Sequence, residues 1–82
     1  MSTSRTKFSI GQPIHHLLFD YRGIIVDADL EFQLSDEWYE QMARSRPPKD
    51  KPWYHVLVAD EKGMRRTYVA ECNLEPDTTA LN

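Results

Sequence analysis

The sequence predicts a mainly β fold, a small antiparallel barrel carrying one short helix. Three observations lead there. Two stretches, residues 14–29 and 52–77, are rich in β-branched and aromatic residues, and each is interrupted by a polar, glycine-bearing segment of hairpin length. The segment between them has helical character. A chain of 82 residues supplies too few strands for two stacked sheets, and curling is what hides the edges of so short a sheet.

Taken in order, residues 1–7 hold Ser, Thr and charge with nothing to bury, so a single domain over 1–82 is expected to have its ordered core at 8–77. Gly11-Gln12-Pro13 bends the chain. Residues 14–19 then read as a strand, turned at Asp20-Tyr21-Arg22-Gly23 into a second one, Ile24-Ile25-Val26, ending near Asp27. Ser35 is placed to cap a helix over 36–44. Asp36 and Glu37 fall in its first turn, where the positive end of the helix dipole favours them. Trp38 and Met42 lie on one apolar stripe with Leu34 just before, and Tyr39 and Ala43 flank it. Pro47-Pro48 stops the helix and opens an exposed linker.

Residues 53–59 are apolar, β-branched or aromatic apart from His55, the composition of a strand buried on most of both faces. Asp60-Glu61-Lys62-Gly63 follows. A three-residue loop with Gly63 left-handed would pair Asp60 with Met64, Val58 with Arg66, Val56 with Tyr68 and Tyr54 with Ala70. On that register the even-numbered residues, Cys72 among them, share the more apolar face. The odd face, Trp53, His55 and Leu57 beside Thr67, Val69 and Glu71, is left for a covering element or a partner. After Leu74 the sheet ends at Glu75-Pro76-Asp77, and residues 78–82 read as a frayed tail.

Composition excludes several classes. No apolar run reaches the ~18 residues of a membrane span, and a polar start with a single cysteine points to a reducing cytoplasm. A net charge of −3 argues against a dedicated nucleic-acid binder. Its distribution is uneven, however: RSRPPKDK at 44–51 sets Arg44, Arg46, Lys49 and Lys51 against Asp50 alone, a cationic strip on an acidic body. A small core and free barrel edges make a homo-oligomer an expectation.

No catalytic, metal or cofactor site is expected. His15 and His16 are strand neighbours, which point to opposite faces and do not easily clasp one ion, although one of them could join His55 if the first and third strands met. Asp27-x-Asp29-x-Glu31 lacks the glycine and the closing bidentate acid of a calcium loop. Glycine-rich phosphate loops, nucleophile elbows and zinc spacings do not occur. So short a chain is also expected to lack a cleft of small-molecule size. A small hydrolase using Cys72 is the distant alternative.

The words PWYHVLV and TYVAECNLEPD, with KFSIGQPIHHLLFDYRGIIVDADLEF upstream, resemble the HspQ/YccV-like family, and together hold 44 of the chain's 82 residues. That resemblance implies an SH3-like barrel. It also implies a non-enzymatic heat-shock factor that binds hemimethylated DNA and promotes proteolysis of denatured proteins, the replication initiator among them, by an ATP-dependent protease of the Lon type. DNA contact needs clustered cations, which selects Arg44, Arg46, Lys49, Lys51, Lys62, Arg65 and Arg66. Protein contact needs exposed apolar surface or a free sheet edge, which selects Trp38, Tyr39, Trp53 and His55. A general protein-interaction barrel without DNA binding is the alternative. Cys72 departs from the family, which favours an acidic residue there.

Overall fold

The computed structural model describes residues 6–43 and 45–81. Five strands form one antiparallel sheet: β1 (Pro13–His16), β2 (Arg22–Asp29), β3 (Trp53–Asp60), β4 (Gly63–Ala70) and β5 (Leu74–Pro76), in the order β4-β3-β2-β1-β5. One helix, α1 (Asp36–Met42), lies between β2 and β3, and short 3-10 turns occupy Glu71–Asn73 and Thr78–Leu81. Among the described residues no helix is long and apolar enough to cross a membrane.

A single hydrophobic cluster draws on all five strands. Ile14, Ile25, Tyr54, Val56, Val58, Val69 and Leu74 meet there with Phe8. Both edge strands, through Val69 and Leu74, reach this one cluster, so the sheet must curl. The ladder stays open between β4 and β5, which gives the small barrel-like fold that composition predicted. A bulge in β2 between Ile25 and Asp27 adds twist. Gly23 marks the tightest approach: a Cβ there would stand 2.6 Å from Val56 Cγ1 and 2.7 Å from the Leu57 carbonyl oxygen.

A second cluster lies under α1, where Tyr39, Ala43, Trp53 and Ala70 are buried with Phe32, Trp38 and Tyr68 packed beside them. Ser35 caps the helix as expected, its Oγ accepting from Trp38 N–H at 3.1 Å. The buried side is the flank of the expected stripe. Tyr39 and Ala43 point inward while Met42 is exposed, because Tyr39 O–H reaches the Pro47 carbonyl at 2.7 Å and Trp53 Nε1 the Pro48 carbonyl at 3.0 Å. Each buried aromatic thereby satisfies its polar end on the linker backbone.

Four further expectations change. The β3–β4 loop has two residues, Glu61-Lys62, so Asp60 pairs with Gly63, Val58 with Arg65, Val56 with Thr67 and Tyr54 with Val69. Gly63 still has positive φ (120°). That slip of one moves every β4 side chain to the other face, and Arg66 and Tyr68 now stand beside Leu57 and His55. β1 ends at His16, and Leu17–Phe19 is a turn whose N–H groups at 18 and 19 both donate to His16 Nδ1 at 3.1 Å. Asp20 follows in the left-handed region (φ 57°), which a short polar side chain tolerates. Glu75 and Pro76 belong to a fifth strand, on β1, and the chain beyond it winds into a turn capped by Asp77, whose Oδ1 accepts from Thr79 N and Oγ1. Cys72 is exposed in the 3-10 turn, its thiol 3.9 Å from Asn73 Oδ1.

Candidate binding surface

Alongside β4, between the 17–19 turn and α1, the surface opens into a cleft of about 930 Å³. Leu18 and Phe19 from the turn, Trp38 and Met42 from the helix, and Arg65, Arg66 and Tyr68 from β4 line it. The expectation that so small a chain has no sizeable cleft is therefore wrong. Curling an open sheet leaves a gap where the last hydrogen-bonded ladder is missing, and the helix and turn wall it. Cys72 does not line the cleft, although His16 and His55 do.

The polar groups at its floor are tied up structurally. Tyr68 O–H donates to Asp29 Oδ2 at 2.7 Å, and His55 Nε2 lies 3.2 Å from the same oxygen. Burial, then the Asp29 carboxylate, pushes the Tyr68 phenol well above its ordinary range, so it keeps its proton. Its ring stacks on Trp53 at 5.2 Å. On the core side, Tyr54 O–H donates to Glu71 Oε2 and accepts from Lys7 N at 2.8 Å and Phe8 N at 3.1 Å, pinning the start of the described chain. Burial and then Glu71 push Tyr54 up to about 12. At the sheet's far end His15 sits between Asp20 (2.5 Å) and Glu75 (2.7 Å), which raise its pKa, Asp20 more strongly. His16 is buried, and desolvation followed by the charge of His15 lowers its pKa.

The expected cations fall into two groups, one in the segment that leads into β3 and one around the β3–β4 turn, with Arg66 opposite Leu57 partway along the ladder. Arg44 lies outside the described residues. Near the strand base Arg46 pairs with Glu40 at 2.8 Å, and Lys49 pairs with Asp36 at 3.0 Å while lying 4.3 Å over the Tyr39 ring. At the tip Arg65 pairs with Asp60 at 3.1 Å. Among the described residues Lys51, Lys62 and Arg66 are exposed and join no ion pair within 4.0 Å. Of the residues selected for protein contact, Tyr39 (7% exposed) and Trp53 (1%) are core. Trp38 and His55 are half-buried and line the cleft. Sequence reasoning missed Leu18, Phe19 and Met42, which are 55%, 61% and 58% exposed. The available signal was an apolar run reaching directly into a turn.

A curled five-stranded sheet with one walled apolar cleft and a cationic hairpin tip defines a small macromolecule-binding domain. Residues 6–81 match the family model described as hemimethylated DNA-binding protein YccV like. The chain belongs to this YccV-like family, a family of DNA-binding domains.

Proposed function

We propose that this chain is a non-enzymatic, cytoplasmic stress factor that contacts hemimethylated duplex DNA through the tip of the β3–β4 hairpin. The observation that carries the reading is the family match over residues 6–81, joined to exposed cations at that tip. Lys62 in the two-residue turn and Arg66 on β4 are exposed and join no ion pair among the described residues, so they can meet phosphates, while Arg65 lies on the other face of the strand from Arg66 and is held by Asp60. Arg46 and Lys49 engage carboxylates of their own chain and contribute less. About two phosphate contacts would give a log–log slope of affinity against salt near −1.8. Fluorescence anisotropy of a labelled hemimethylated duplex, run beside its unmethylated and fully methylated forms, tests this. A slope near zero, or no duplex binding at low salt, contradicts it.

The second half of the reading is that the same domain brings denatured proteins, the replication initiator among them, to an ATP-dependent protease of the Lon type. Exposed Leu18, Phe19 and Met42 favour it, since they gather around one cleft where they can meet apolar side chains of a partner. The acidic body, net −3, favours protein over DNA as the tighter partner. Adding the chain to the protease and a denatured substrate should raise the degradation rate. An unchanged rate contradicts this half alone.

A further inference from the structure

We infer that the free edge of β4 takes up one added strand, an extended polypeptide segment that alternates apolar side chains and places a carboxylate opposite Arg66. The inference rests on the protein-partner half of the reading above and on nothing in its DNA half.

β4 is the last strand of the sheet, paired only with β3. The two-residue loop makes Asp60 and Gly63 the closing hydrogen-bonded pair, and the antiparallel ladder alternates from there. The N–H and C=O groups of Met64, Arg66 and Tyr68 therefore point away from β3. Among the described residues none of them bonds to another backbone group outside the hairpin. Open strand edges are usually blunted by prolines, bulges or covering loops. This one is eight residues long, has no proline or bulge, and is bordered by the cleft instead of a cover.

The surroundings select what would pair there. Leu18, Phe19, Trp38 and Met42 offer apolar contact to side chains on one face of an incoming strand. The chain has 13 Asp and Glu residues, yet none lines the cleft, whereas two arginines do. Arg65 is already engaged by Asp60, which among the described residues leaves Arg66 as the lining cation for an incoming carboxylate. A duplex would leave the apolar lining unmatched. An acidic, apolar strand matches both the lining and the edge.

The test uses the full chain and a fluorescein-labelled ten-residue peptide of alternating valine and threonine with one central glutamate. Two companion peptides carry N-methyl groups on alternate residues, or glutamine for the glutamate. The parent peptide should bind, and N-methylation, which removes ladder donors and puts a methyl group in their place while leaving the side chains unchanged, should weaken binding at least tenfold. The glutamine peptide and the Arg66→Gln variant should each lose about three- to tenfold, with little further loss when combined. Leu18→Ser, at an exposed position with no core role, should weaken binding as well. Equal binding of parent and N-methylated peptides, or no binding of the parent at 1 mM, overturns the assignment. So does concentration-dependent self-association that occupies the same edge. Peptide binding without stimulated proteolysis would instead remove the protease reading and leave the strand site standing.

Discussion

The two ends of the β3–β4 hairpin are built from one continuous ladder and yet do opposite things. At the base, Trp53 faces Ala70 beneath α1, ringed by Phe32, Trp38, Tyr39 and Tyr68, with its indole N–H satisfied on the Pro48 carbonyl. At the tip, from Ala59 and Asp60 to Met64, every residue is exposed, and the nearest polar partners are the loop's own backbone and the Asp60 carboxylate. The difference teaches that burial, more than strand pairing, decides where stability resides. The tip is free to vary its charge because nothing leans on it.

The largest separation of the two ends should come from Trp53→Ala. Removing a fully buried aromatic typically costs ~3–5 kcal/mol, a large share of what so small a domain can hold. Urea denaturation followed by circular dichroism should show it. Next, Gly23→Ala should cost about 1–3 kcal/mol, because the new Cβ meets the Leu57 carbonyl, which cannot swing aside. A loss under 0.5 kcal/mol would mean β2 and β3 are less closely apposed than 2.7 Å implies.

Substitution at the tip should leave stability almost untouched. Lys62→Gln with Arg66→Gln is expected to stay within ~0.5 kcal/mol in the same denaturation assay, as surface changes do. The same pair should flatten the salt slope of duplex binding by about 1.8, the value of two phosphate contacts. Loss of stability with unchanged slope would reverse the roles assigned to the two ends.

The smallest effect concerns a third site, the His15–Asp20–Glu75 cluster, where two histidines act with opposite sign. The folded pKa of His15 is raised by Asp20 and Glu75, so its stabilisation is full below its unfolded pKa and fades as pH rises through the folded value. The folded pKa of His16 is lowered by burial, so its contribution is present above the unfolded pKa and is lost as pH falls through the folded value. Removing the first uncovers the second. His15→Gln should therefore make the melting temperature drop more steeply than in the parent chain between pH 7 and pH 5. A parallel pH profile for the two proteins would rule out the cluster as the source.

Much of this architecture was legible in the residues. Period and composition marked both hairpins and the core face of β3. Ser35 with Asp36 and Glu37 marked the start of α1. The register was not legible, because Asp60-Glu61-Lys62-Gly63 suits a two- or a three-residue loop equally, and only packing against β2 chooses between them. Leu17–Phe19 looked like strand because its turn is made by an uncommon device, a histidine ring accepting two backbone N–H groups. The phase of α1 was equally hidden, since seven residues define a stripe poorly and the Pro47 carbonyl that holds Tyr39 lies beyond the helix. For the candidate surface, the cations themselves were visible but their neutralisation was not. Glu40, Asp36 and Asp60 sit six, thirteen and five residues from the bases they engage, separations that carry no local signature.

The claim that DNA is met at the hairpin tip and not at its base is tested most directly by amide chemical shifts. The uniformly ¹⁵N-labelled chain would be titrated with a hemimethylated duplex and each backbone resonance followed. Perturbations concentrated at residues 60–66, with those of 36–43 and 53–54 unmoved, are predicted. Shifts centred on Arg46, Lys49 and Lys51 with a silent tip would contradict the claim.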